Sequence, residues 1–333
     1  MNCARSPPPP YNALMRENDF VSWISSQMPT SPLVPIGIGD DMAAVSTGLS
    51  ISNPAARPFV LLKIDQAMDK VHFDSATHAP RQMGRKAVNR CLSDCAAMAC
   101  RPRAILISVA LPDTATEAFA RELFLGARDA AAVFDCPVVG GDTAVWNQRL
   151  AITVAAMGVT GNQPVRRCGA KPGDIVCVSG LLGGSILGRH MGFTPRIALA
   201  QKLTEIADIH AMMDISDGLA MDFPRLMKAS SCSGVIDAAK LPVHPDAHTL
   251  SQSDGQPAWR HALSDGEDYE LLFTIPPSAA AGLVGVQSIQ ADVPITAIGK
   301  VSSEGPLKLL LPDGSTEDWP RGGWEYAGTG DAK

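Results

Sequence analysis

Apolar residues recur every fourth position at Met83, Ala87, Cys91 and Cys95, which predicts an α-helix over residues 80–98 with one apolar face. A second long helix is predicted over 116–134, an alanine-rich stretch with an acid at its start. Around them the period shortens to that of strands. Residues 59–64 (Phe-Val-Leu-Leu-Lys-Ile) read as a buried strand ending at Asp65, and 104–111 alternates and stops at Pro112-Asp113. Further strands are expected at 42–45, at 137–139 running into Gly140-Gly141-Asp142, and at 150–159, 175–179, 212–215, 235–237, 269–275 and 293–298. Helices are expected at 195–209 and 219–229, and a short amphipathic one opens near Asn18 with Phe20, Trp23 and Ile24 on one side. Strands and helices alternate, as in an α/β or α+β fold. Residues 1–13, with a run of four prolines, read as a disordered tail. A second domain is expected to begin near Val165, dividing the rest into residues 14–164 and 165–333.

Composition changes this picture in three ways. At 333 residues the chain is long enough for two domains, each with its own core. Its charged fraction of 19% is below the roughly 25% usual for soluble domains, which leans toward surface buried in an oligomer. The net charge of −6, with no Lys/Arg block, argues against nucleic acid as a partner. No run approaches the ~18 apolar residues of a membrane span, and the start lacks the apolar core of a signal peptide. A cytoplasmic location, with no membrane partner, is therefore expected. The eight cysteines form no Cys-x-x-Cys pair; Cys91, Cys95 and Cys100 read as small buried hydrophobes in a reducing compartment.

The candidate chemistry lies in short acidic motifs. Gly37-Ile38-Gly39-Asp40-Asp41 is followed by Asp65, Leu92-Ser93-Asp94, Gly140-Gly141-Asp142-Thr143 and Asp214-Ile215-Ser216-Asp217-Gly218. Alone, such motifs read first as solvated turn residues or helix caps, Ser216 or Asp217 capping the helix that follows. Their recurrence points to hard oxygen ligands suited to Mg²⁺ rather than zinc. Residues 180–185, a Gly-rich turn expected to start a helix, can hold an anion on its free N–H groups. It has neither the Lys of a Walker A loop nor dinucleotide spacing. His72 reads as a half-buried structural histidine or a ligand, Arg167 as a loop charge or a ligand, and Trp324 as a tail anchor or a stacking ring.

Taken in order with Val71-His72-Phe73, Arg167-Cys168-Gly169-Ala170-Lys171-Pro172-Gly173-Asp174 and Ser264-Asp265-Gly266-Glu267-Asp268-Tyr269-Glu270-Leu271, these motifs resemble the thiamine-monophosphate kinases. That family lies in the superfamily of aminoimidazole ribonucleotide synthetase and selenophosphate synthetase. The resemblance implies two α/β domains, the first dimerising through its sheets into a shared barrel, so that the protein is a homodimer. It implies ATP as co-substrate and transfer of its γ-phosphoryl group to the phosphate of thiamine monophosphate. Several Mg²⁺ ions would be held by Asp41, Asp65, Asp94, Asp142 and Asp214, with Asp217 a further candidate. Gly141, Asp142, Arg167 and Ser216 would contact ATP, and His72, Glu267 and Trp324 would face thiamine monophosphate. No general base is required, because the acceptor phosphate is already ionised at neutral pH.

The chain departs from the family where two small polar residues precede the aspartate: Lys63 and Ile64 stand before Asp65. Strand alternation sends Lys63 and Asp65 to one face and Ile64 away into a core. Asp69 and Lys70 replace an acid and a glycine before His72, Cys91 an asparagine, and Asp265 a glycine. Two other functions remain open on these residues: a related ATP-dependent enzyme acting on another acceptor, and an ATP-binding protein without turnover.

Overall fold

The computed structural model describes residues 17–28, 31–47, 59–160, 163–283, 293–320 and 322–323. The Pro-rich stretch 1–13 and Trp324 lie outside the described residues. After α1 (Glu17–Gln27), five strands make a first sheet: β1 (Ala43–Ser46), β2 (Phe59–Met68), β3 (Arg101–Pro112), β4 (Val138–Trp146) and β5 (Ala151–Val159). Their order is β1-β2-β5-β3-β4. All neighbours are antiparallel except β3 and β4.

Two helices cover one face, α2 (Pro80–Ala97) and α3 (Glu117–Ala132). Proline at its first turn suits α2, since the missing N–H would have no partner there. The Thr116 hydroxyl caps α3 by accepting from the Phe119 N–H at 3.2 Å. The two helices approach closely at Gly84 and Gly126, where a Cβ would come within 2.0 Å of the Leu123 and Arg81 carbonyl oxygens.

The expected buried strand over 59–64 is corrected in two respects. β2 continues past Asp65 to Met68, and its residues alternate rather than being buried throughout. Leu61 and Ala67 face the helices, whereas Ile64 is 67% exposed on the opposite face and enters no core of this chain. Leu106 on β3 and Met157 on β5 share that outer, exposed face.

The second sheet has seven strands: β6 (Ile175–Ser179), β7 (Ala211–Asp214), β8 (Ser233–Asp237), β9 (Leu271–Ile275), β10 (Ile295–Ser302), β11 (Lys308–Leu310) and β12 (Thr316–Asp318). Their order is β12-β11-β8-β10-β6-β9-β7. Around it lie α4 (Ile197–Ile206), α5 (Leu219–Ala229), α6 (Pro245–Asp254), α7 (Ala258–Ser264) and α8 (Pro277–Leu283). β7 and β9 are buried along their whole length, which explains why they are apolar apart from Asp214 at the end of β7 and Thr274 in β9. One sheet face packs Val176, Val178 and Met213 against Phe223 and Leu226 of α5. The other face, with Cys177, Met212 and Phe273, joins α4 and α2 in a core continuous with that of the first sheet. The α2 helix therefore lies between the two sheets and touches both.

The Gly-rich stretch after β6 does not start an α-helix. It passes into short 3₁₀ turns at Ser185–Leu187 and Arg189–Met191, and the next α-helix begins at Ile197. Helices α6 and α7 and the β11–β12 hairpin had no counterpart in the sequence reading. In α6 the only buried residue is Ala247, so it has no apolar period to detect, and α7 spans two turns.

Candidate functional site

Three acids far apart in sequence meet where the two sheets approach α2. Asp41 lies on the turn before β1, Asp94 in the last turn of α2, and Asp214 at the end of β7. All three are buried, and one carboxylate oxygen of each lies within 4.8 Å of the others. At that spacing each charged pair repels by about 3 kcal/mol at an effective dielectric of roughly 20. Burial pushes the Asp94 carboxyl well above its usual range; Lys63 opposes this, and Asp214 and Asp41 add to it. Burial and then Asp41 raise Asp214 to about 6, although the Ser93 hydroxyl donates to it at 2.6 Å. Hard oxygen donors converging in one place fit Mg²⁺.

Cations surround this cluster. Arg167 grips both oxygens of Asp41, at 2.7 and 3.1 Å, while the neighbouring Arg166 pairs with Asp40 at 3.1 Å. Lys63 reaches inward as expected and places its Nζ 2.8 Å from Asp94 Oδ1. Burial alone would lower the Lys63 pKa, but Asp94 and Asp65 outweigh it and hold the ammonium charged. Asp65 stands just outside the trio, bonded by the Arg90 guanidinium at 3.3 and 3.4 Å.

Arg90 also lines a cavity of about 270 Å³, with Val71, Ser216, Asp217, Asp265, Glu267 and Tyr269 among the other walls. The expected nucleotide and substrate residues Ser216 and Glu267 thus share one space with Asp217. The loop carrying Glu267 is held in unusual backbone: Gly266, Glu267 and Tyr269 all have left-handed φ values, between 52° and 74°. Strain of this kind persists only where surrounding contacts fix it. The fixing contacts are specific. Glu267 Oε2 lies 2.8 Å from both Lys86 Nζ and His190 Nδ1, and Tyr269 stacks on Phe193 at 3.8 Å between ring centroids. Lys86, fully buried on α2, also donates to the His72 carbonyl. Burial would raise Glu267, yet the His190 hydrogen bond and the Lys86 charge bring it down to about 2. Burial lowers Lys86 to about 8, against the pull of Glu267.

Other expected site residues are placed differently. His72 is buried, its Nδ1 accepts the Met68 N–H at 3.0 Å, and burial with the nearby Arg90 lowers it to about 3, so it is neutral. The neighbouring Val71, not His72, lines the cavity. Asp217 pairs with Arg225 at 2.5 Å and is not among the clustered oxygens. Neither Ser216 nor Asp217 caps α5. Instead the buried Asp222, raised to about 8 by burial and Asp217, accepts both of their backbone N–H groups at 3.0 Å.

Gly141 and Asp142 lie within β4 rather than on a turn. A Cβ at Gly141 would sit 1.8 Å from the Ile107 carbonyl oxygen, so β4 packs there as only glycine permits. Asp142 is in register with Ser108, on the outer face, whereas Asp65 faces α2. The two acids are three strands apart, about 14 Å at the usual strand spacing. A single chain does not bring Asp142 to the acid trio. Two N–H groups of the Gly-rich loop already have carboxylate partners: Gly183 donates to Asp268 at 2.9 Å and Gly184 to Asp265 at 2.7 Å. The anion this loop holds is the protein's own.

Sequence reasoning missed Lys86, Arg90 and Asp222. The available signal was a charged side chain on the apolar side of a helix, as Lys86 stands between Met83 and Ala87.

Residues 39–160 match the family described as AIR synthase related protein, N-terminal domain. The chain is 37% identical over 286 residues to the thiamine-monophosphate kinase of Rhodopirellula baltica, covering 86% of this chain and 89% of that one. It is 32% identical over 315 residues to that of Haemophilus influenzae, covering 87% and 90%. The solved structure described as AaThiL complexed with AMPPCP and TMP superposes with a TM-score of 0.76 at 28% identity, over 93% of this chain and 97% of that one. Fold, clustered acids and relatives agree, and the chain belongs to the thiamine-monophosphate kinase family.

Proposed function

We propose that the protein transfers the γ-phosphoryl group of ATP to the phosphate of thiamine monophosphate, giving thiamine diphosphate and ADP in the cytoplasm, and that residues 14–164 and 165–333 are its two domains. The observation that carries this is the buried trio Asp41, Asp94 and Asp214 beside a cavity walled by Ser216 and Glu267. In the reaction an oxygen of the acceptor phosphate forms a bond to the γ-phosphorus while the bond to the ADP oxygen breaks. Asp41, Asp94 and Asp214 would hold Mg²⁺, with Asp65 close by; bound there, it supplies the charge neutralisation that two phosphates need to approach. Arg167 fixes Asp41 in place, and Ser93 orients Asp214. Lys86, His190 and Arg90 hold Glu267 ionised at the cavity wall, where it can accept hydrogen bonds from a cationic or donor-rich ring.

The homodimer rests on a separate observation. The outer face of the first sheet leaves Leu62, Ile64, Leu106 and Met157 exposed on three neighbouring strands, the kind of apolar patch a second chain can cover. Edge strand β4 carries Gly141 and Asp142 beside a cleft of about 470 Å³ bounded by α3, a volume in the range of small-molecule sites. A second copy packed on that outer face would supply its Asp142 to a cluster that one chain leaves without it.

Incubation with ATP, Mg²⁺ and thiamine monophosphate should yield thiamine diphosphate and ADP in equal amounts by chromatography. ATP binding with no thiamine diphosphate formed, and ADP released only with another phosphate acceptor, would favour the related-enzyme alternative. Light scattering should give about twice the 35.0 kDa chain mass. Mixing inactive Asp142→Asn and Asp94→Asn chains should restore part of the activity if the two acids act across the dimer.

A further inference from the structure

We propose that Lys63 is a built-in cation of the acid cluster, occupying a place among its carboxylates that a divalent ion would otherwise take. The inference rests on the metal-binding reading of Asp41, Asp94 and Asp214.

Three observations carry it. The Lys63 ammonium lies 2.8 Å from Asp94 Oδ1, on one of the three acids whose oxygens converge. It comes from β2, on the same strand face as Asp65, so its charge is felt by a trio member and by the fourth nearby acid. The side chain is 25% exposed, so it borders accessible space rather than the interior of the core. The other cations have different stations. Arg167 grips Asp41 with two bonds, and Arg90 holds Asp65 and Glu267. A planar guanidinium spreads its charge, whereas an ammonium is a compact, strongly hydrated point charge and the closest side-chain counterpart of a small metal ion. One such point charge, anchored to a sheet and bonded to Asp94, thus also acts on Asp65 and Asp214. A fixed charge of this kind lowers the number of divalent ions the cluster can take, or weakens the first of them.

Mn²⁺ is the probe, added to the full-length protein without nucleotide or substrate and counted by calorimetry and by its electron-spin signal. Lys63→Met keeps the length of the side chain and removes the charge. It should bind one more Mn²⁺ per chain than the parent, or bind the first about tenfold more tightly. Lys63→Arg, which keeps the charge but spreads it over a larger planar group, should fall between the parent and Lys63→Met. In EDTA, Lys63→Met should melt below the parent, and Mn²⁺ should raise its melting temperature by more than it raises the parent's. Should Lys63→Met fail to fold, Lys63→Gln serves the same comparison. Equal Mn²⁺ number and affinity in parent and neutral variant overturn the inference while leaving the metal site intact. Absence of Mn²⁺ binding in both the parent and the neutral variant overturns the metal site and this inference together.

Discussion

Helix α2 carries two polar clusters of opposite design, about 12 Å apart along its axis. At its C-terminal end Asp94 meets Asp41 and Asp214, and burial with mutual repulsion pushes two of these carboxyls upward. Two turns earlier Lys86 meets Glu267 and His190, and the carboxylate is pushed downward. Both clusters are largely buried and both tie α2 to the second sheet. One is satisfied within the protein, and the other retains a deficit of positive charge that protons or a bound cation must offset. Burial of acids therefore does not by itself mark a reactive site. The sign of what surrounds them does.

The strongest way to break this comparison is Asp214→Asn. Activity should fall by about 10³-fold or more, because an amide holds a divalent cation poorly. Yet in EDTA the same variant should be more stable than the parent by on the order of 2 kcal/mol, since it relieves a buried like-charge contact. A loss of stability in EDTA, followed by calorimetry, would remove the contrast. Lys86→Met should do the reverse. Breaking a buried pair from one side costs on the order of 3 kcal/mol, and Mg²⁺ should not restore it in urea titrations.

The acidity dependence sharpens the same contrast with smaller effects. Asp214, raised to about 6, leaves the folded protein binding more protons than the unfolded chain between about pH 4 and 6. Metal-free stability from this group therefore falls as pH rises through that window. Glu267, lowered to about 2, gives stability that is complete above its unfolded value near 4.5 and lost as pH falls toward 2. Urea midpoints of the parent, Asp214→Asn and Glu267→Gln between pH 2 and 7 should separate the two signs. The smallest effect is expected for Asp265→Asn. It keeps the bond from Gly184 and weakens the one with His261, costing about 1 kcal/mol without any metal dependence.

Much of the fold was legible because periodicity survives where one face is buried. Met83, Ala87, Cys91 and Cys95 defined α2, and the apolar runs of β6 and β9 marked strands covered on both faces. Residues 59–64 misled, since Leu62 and Ile64 are apolar on a face this chain leaves uncovered. The trio itself could not be derived from spacing. Asp41, Asp94 and Asp214 sit on a turn, a helix and a strand; the recurrence of short acidic motifs suggested shared ligands, and family resemblance named them, together with Asp65 and Asp142. The orientation of Lys63 followed from strand alternation. The opposed faces of Asp65 and Asp142 required the order of strands, which no local pattern contains.

The cysteines on and just beyond the same helix have a practical consequence. Cys91, Cys95 and Cys100 are fully buried free thiols, and burial raises the first of them well above the ordinary thiol range. Alkylating reagents attack thiolates, so these three are silent until the layer between the sheets opens. Cys168 and Cys232 are partly exposed and should be labelled first. The labelling rate at Cys91 and Cys95 then acts as a clock for that opening, and any ligand that ties the two sheets together should slow it in proportion to its occupancy.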